Sequence, residues 1–212
     1  MDSTTFAYFL TASILLTLAP GPDILYLLTK SLSDGARAGI ILACGLSSGI
    51  VFHTTLVMLG VATLIKSSAT ALMLLKIFGA AYLLFLAWGA FKSARAGKGL
   101  GIRGQGSGVR EKFSAAALYK RGVLMNVLNP KVLLFFLAFL PQFVNLSSDT
   151  ASLTILFLGM TFAAQAVIIF SGVAIFAGHV RTFLLRKKNI GQLMNFIEAA
   201  VLTLIALGLI LF

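Results

Sequence analysis

Acidic residues are scarce in this chain: six Asp and Glu stand against 17 Lys and Arg, and charged residues of either sign fill only 11% of the 212 positions. Paired carboxylates of the kind that hydrolytic chemistry needs are therefore not expected. Cysteine is nearly absent too. A single thiol, Cys44, excludes an intramolecular disulfide, a thiol relay and a cysteine metal cluster, so neither a metal nor a cofactor is expected. Long polar stretches are also few. Hydrophobic residues make up 59% of the sequence, and a mean hydropathy of +1.01 excludes an ordinary soluble domain. No basic segment precedes the first apolar run, which continues for a full span, so that run is expected to remain as a helix rather than be cleaved as a signal peptide.

What the chain has instead is apolar length. A membrane-spanning helix needs about 20 mostly apolar residues. Six stretches satisfy this: roughly Phe6 to Leu28, Gly39 to Ile65, Ala69 to Phe91, Gly122 to Phe143, Ala151 to Ala177 and Ile190 to Phe212. The fold class expected is an all-α integral membrane protein of six transmembrane helices.

The cations set its orientation. Lys30 and Arg37 follow the first span. Lys92, Arg95, Lys98, Arg103, Arg110, Lys112, Lys120 and Arg121 follow the third, and Arg181, Arg186, Lys187 and Lys188 follow the fifth. Only Lys66 falls on the opposite side, while Lys76 and Lys131 lie inside spans. The positive-inside rule then places both termini on the non-cytoplasmic side. This distribution explains the net charge of +11 without nucleic acid: the 92–121 stretch offers glycine, six between Ala96 and Gly108, rather than interleaved aromatics. Anionic lipid headgroups of the bilayer are its natural neighbours.

Three spans on each side of that linker enter the membrane in opposite senses, the layout of an inverted repeat. The expected organisation is a first three-helix repeat at 1–91, a basic Gly-rich cytoplasmic linker at 92–121 and a second three-helix repeat at 122–212. Leu74 to Gly89 laid on Leu193 to Gly208 gives six identities in sixteen, a faint internal similarity. Span one is interrupted by Pro20, Gly21 and Pro22, and span four by Asn129 and Pro130. Proline removes a donor and clashes with the preceding turn. Freed backbone groups persist in a bilayer only where protein or a polar cavity satisfies them. Paired breaks in matching spans point to a transporter's substrate site.

Ala19-Pro20-Gly21-Pro22-Asp23, Gly60 to Leu64, Gly79 to Leu83, Asn129-Pro130-Lys131 and Pro141-Gln142-Phe143 together resemble the LysE/RhtB amino-acid exporters, in order and over nearly the whole chain. The resemblance implies a bacterial inner-membrane protein that exports an amino acid or close analogue, energised by the proton gradient. One departure is Glu198, where the family usually has a small residue.

Ionisable groups within spans are costly and are functional candidates by default. Asp23 suits a substrate ammonium or a coupled proton, and equally suits the positive end of the resumed helix. Lys131 suits a substrate carboxylate, or pairs with Asp23 or Glu198. Asn126 and Asn129 either repair freed backbone or orient a zwitterion. His53, in mid-span two, is a candidate proton relay or a helix-to-helix hydrogen bond, and Glu198 is a second candidate for proton coupling. Lys76 is shallow enough to snorkel. Gly45 and Gly49 allow close helix approach within one subunit or between two, so a homodimer is compatible with them. A passive small-solute channel shares this topology but needs no proton site. An intramembrane enzyme needs a nucleophile with its base or paired acids, and Asp23 and Glu198 belong to different halves.

Overall fold

A computed structural model of the chain describes residues 2–67, 69–97, 114–177, 179 and 190–211. The glycine-rich part of the linker with Lys98, Arg103, Arg110 and Lys112, and the basic segment with Arg181, Arg186, Lys187 and Lys188, lie outside the described residues.

The regular structure among the described residues is helical throughout. In order come α1 (Ser3–Leu18), α2 (Pro22–Asp34), α3 (Ala36–Ser67), α4 (Ala69–Arg95), α5 (Ala115–Val127), α6 (Pro130–Leu134), α7 (Ala151–Ile175) and α8 (Ile190–Leu211). A π-helical turn (Phe135–Phe139) and a 3-10 turn (Leu140–Phe143) prolong α6. Four of these helices are long and apolar enough to cross a membrane, and six spans result if each bent pair, α1 with α2 and α5 with α6, counts as one.

Local chemistry sets the ends. Asp2 caps α1 by accepting the Thr5 N–H at 2.6 Å, and this hydrogen bond holds its carboxyl below the ordinary carboxylate range. Several helices extend past the apolar limits expected from sequence: α3 runs from Ala36 to Ser67 and α4 to Arg95, so Arg37, Lys66, Lys92 and Arg95 are helical rather than in loops. α2 continues to Asp34 because Lys30 pairs with Asp34 at 2.9 Å one turn on, and Gly35, at φ 89°, ends it. Lys30 is thus helical rather than in a loop. α5 likewise begins at Ala115, not Gly122, capped by Ser114, so Lys120 and Arg121 ride on its first turns.

The breaks fall at the prolines. Pro20 biases Ala19 away from helical ψ, observed at 124°, and Pro22 supplies a preset first residue for α2. At the second break Asn129 leaves the helix at ψ 107°, and Pro130 opens α6. The two pairs bend by 56° and 50°.

Glycines bring the inner helices together. Gly45 of α3 lies against the Tyr119 carbonyl and Gly122 of α5, and Gly49 lies against Asn126. The GxxxG pattern is therefore used within the chain, where any side chain would separate α3 from α5. On the other face of α3, Gly159 of α7 accommodates Thr54. α3 is the central helix: 56% of its most apolar stretch is buried, against 22% for α4, which packs on α8 and turns Phe78, Phe85 and Trp88 outward. Such an apolar exterior suits lipid rather than water.

Candidate functional site

Both breaks open toward one cavity at the centre of the bundle. Its polar wall is Thr17, Asp23, Asn126, Asn129 and Lys131 together with the backbone at Ala19 and Gly21; its apolar wall is Leu16, Ile24, Ile50, Val132, Phe162 and Phe170. Five residues singled out in the sequence thus meet in one place, although more than 100 positions separate Gly21 from Asn126. The free space is about 20 Å³, room for one water molecule. This is a closed arrangement.

The contacts run from one break to the other. Asn129 donates from Nδ2 to Asp23 Oδ2 at 2.8 Å, while its own Oδ1 accepts the Lys131 N–H at 3.0 Å and so caps α6. Lys131, buried, sends Nζ to the Ala19 carbonyl at 3.1 Å. That carbonyl is one that the end of α1 leaves without a helical donor, so the lysine repairs the first break. Gly21 makes room for it: a Cβ there would stand 3.2 Å from Lys131 Nζ and 3.8 Å from Glu198 Oε1. Glu198 of α8 therefore borders the same spot, bringing a second carboxylate near the lysine. Pro20 is buried behind the break, whereas Pro22 and Pro130 are exposed and act by starting their helices.

His53 is fully buried beside Phe136, with ring centroids 5.7 Å apart, and its Nε2 lies 3.1 Å from the Asn126 carbonyl. A carbonyl oxygen only accepts, so Nε2 carries the hydrogen and Nδ1 is the bare nitrogen of the neutral ring. Among the described residues Nδ1 has no partner, and buried and likewise unpartnered are Asp23 Oδ1, Asn126 Oδ1, Gln165 Oε1 and Ser47 Oγ. Native interiors rarely leave such atoms unpaired. Here most of them accept hydrogen bonds, and two, on Asp23 and Asn126, belong to side chains that line the cavity. The site is short of donors, which is what an ammonium group or a proton supplies.

Two features escaped the sequence reading. Gln165 of α7, 8% exposed, donates to Thr17 Oγ1 at 2.9 Å and reaches the Ser13 carbonyl at 3.5 Å. The signal was available: an amide in the middle of an apolar 25-residue helix, and Ser13 and Thr17 one turn apart leading to the first break. The second is an aromatic layer beyond the cavity, where Phe135 packs on Phe9, Phe139 and Phe162 with centroids 4.9–6.1 Å apart. On the side of α2 and α5, the Arg121 guanidinium stacks 4.4 Å over the Tyr26 ring, and Tyr119 donates to Ser48 at 2.8 Å.

The family model described as LysE type translocator matches residues 14–211. Over 187 residues the chain is 26% identical to proteins named leucine efflux protein from Salmonella choleraesuis, Salmonella paratyphi A and Salmonella typhimurium, with 88% of this chain and 85% of each relative covered. No solved structure gives a significant match.

Proposed function

Because the chain belongs to the LysE type translocator family, we propose that it exports an amino acid with a small apolar side chain from the bacterial cytoplasm across the inner membrane, in exchange for protons. The observation that carries this reading is the central cavity, polar on one wall and aliphatic and aromatic on the other. A zwitterion fits that division. Its carboxylate takes the Lys131 ammonium, its ammonium supplies the donor that Asp23 Oδ1 and Asn126 Oδ1 lack, and its side chain lies among Leu16, Ile24, Ile50 and Phe162. The leucine efflux relatives support a substrate of that size.

In this reading the architecture is six spans in two inverted three-helix repeats, 1–91 and 122–212, joined by the basic linker at 92–121, with both termini outside. The pairing of α3 with α7 and of α4 with α8 supports it, since these are the corresponding members. So does the position of Gly79 and Glu198, which the faint repeat aligns. Gly79 lies against Ala138 just past α6, and Glu198 lies against Gly21 just before α2, so each outer helix meets the broken segment of the other half. Transport then needs the halves to rock, because the closed cavity holds no amino acid. Asp23 is the coupling group, and His53 and Glu198 are the further proton sites: the bare Nδ1 of His53 is fixed by the bond that Nε2 gives Asn126.

Uptake of radiolabelled amino acids into inverted membrane vesicles tests the proposal. Accumulation of leucine or a similar residue that collapses with a protonophore supports it; equilibration without accumulation replaces it with the channel. The Asp23→Asn variant is expected to insert normally and lose gradient-driven uptake altogether, and unchanged uptake removes Asp23 from coupling.

A further inference from the structure

Gln165 has no part in the mechanism just given, yet it is the most costly uncharged side chain of α7. An enclosed amide within an apolar span is expensive, and half of its hydrogen-bonding capacity is unmet, because Oε1 has no partner. What it does make is specific. Nε2 donates to Thr17 Oγ1 at 2.9 Å and reaches the Ser13 carbonyl at 3.5 Å, and Thr17 in turn donates to that same carbonyl at 2.9 Å. The pair fastens the last turn of α1 to α7.

That turn leads directly to Ala19, whose carbonyl holds Lys131. The other hydrogen bonds described between α1–α4 and the second half of the chain all involve α5 or the break that follows it: His53 with Asn126, Ser48 with Tyr119, Asp23 with Asn129 and Ala19 with Lys131. Gln165 is a polar tie on the opposite flank of the cavity, where α1 and α7 also meet through the Phe6 and Phe157 rings, with centroids 5.7 Å apart.

We propose that Gln165 is a positioning residue of the transport cycle: acting through Thr17, it sets where the end of α1, and with it the Ala19 carbonyl on Lys131, stands relative to α7. The inference rests on the translocation reading above. It assigns Gln165 no contact with substrate, so its loss slows the conformational step rather than weakening binding.

The purified chain in proteoliposomes, with radiolabelled leucine as probe, tests this through Gln165→Leu, Thr17→Val and the double variant. Each single change is expected to lower the maximal rate about tenfold, the effect of losing one buried hydrogen bond. KM is expected to stay unchanged in Gln165→Leu, because Gln165 does not line the cavity, whereas Thr17 does. The double variant is expected to be no slower than Gln165→Leu, because that change already removes both the Thr17 and the Ser13 contacts of the tie. Gln165→Asn, which keeps the amide, is expected to recover part of the rate. Multiplicative losses in the double variant, or a raised KM or wild-type rates in Gln165→Leu, each overturn the proposal. A readout independent of transport separates it from the translocation reading: spin labels at Thr11→Cys and Thr161→Cys, in a Cys44→Ala background, report the distance between α1 and α7. That distance is expected to broaden in Gln165→Leu. An unchanged distribution overturns the tie, and failure of the wild-type chain to move any amino acid overturns the translocation reading while the distance measurement still judges the tie.

Discussion

The two proline breaks bend their helices by similar angles, yet they are repaired in different ways. The second is repaired from within: Asn129 caps α6 with its own side chain and hands its amide to Asp23. The first has no side-chain cap at Gly21, and the Ala19 carbonyl, buried and without a helical donor, is met by Lys131, a group from the other break. The second break therefore supplies the amide and the cation, and the first supplies backbone, space and the Asp23 carboxylate. A site assembled in this way depends on both halves holding register, because the lysine that repairs one break is the group that a substrate carboxylate would claim.

The largest loss is expected at Lys131. Lys131→Met leaves the Ala19 carbonyl without its donor and removes the cation of the site. Loss of a charge-assisted hydrogen bond, about 3 kcal/mol, corresponds to a fall of about 100-fold in export, measured as initial uptake into inverted vesicles. Asn129→Ala strikes the self-repaired break. Its loss as a cap is worth about 1 kcal/mol and its amide to Asp23 about as much again, so export is expected to fall about 10- to 30-fold, with a lower melting temperature in detergent. Gly21→Ala tests the space at the other break. Its backbone is extended, φ −173°, and accepts any residue, so the fold is expected to survive. The added methyl stands 3.2 Å from Lys131 Nζ and forces a shift of a few tenths of an ångström; the expected result is a raised KM of about three- to tenfold, the cost of weakening one such contact by about 1 kcal/mol. Gly21→Val is expected to be worse. The smallest effect belongs to Asp2, far from either break. The Thr5 N–H lowers its pKa in the folded chain, so the cap is present above the ordinary carboxylate range and is lost as pH falls through the lowered value. Asp2→Ala is expected to leave export unchanged and to increase amide exchange only in the first turn of α1.

Much of the site could be read from residues alone because its members break rules that a bilayer enforces. Proline within an apolar run, and Asp23 and Lys131 where charge is costly, stand out without a structure. Helix ends were less legible. Hydropathy stops where the hydrocarbon stops, but the hydrogen-bond ladder continues into polar residues, which is why Lys30, Lys120 and Arg121 proved helical. Gln165 and Thr17 went unnoticed because an amide and a hydroxyl carry no charge, and their meaning lies in each other across 148 positions.

The sequence by itself determined that the chain is a bundle of apolar helices, that two of them break at proline, and which charged groups lie near those breaks. Each of these follows from local covalent constraints and from the cost of polar groups in lipid. Only the tertiary structure decided that both breaks face one cavity, that Gly45 and Gly49 are used to seat α5, and that Lys131 reaches the Ala19 carbonyl past a glycine with Glu198 beside it. Those are distances between residues far apart in the chain, fixed by how closely glycine lets helices approach, and no local pattern encodes them.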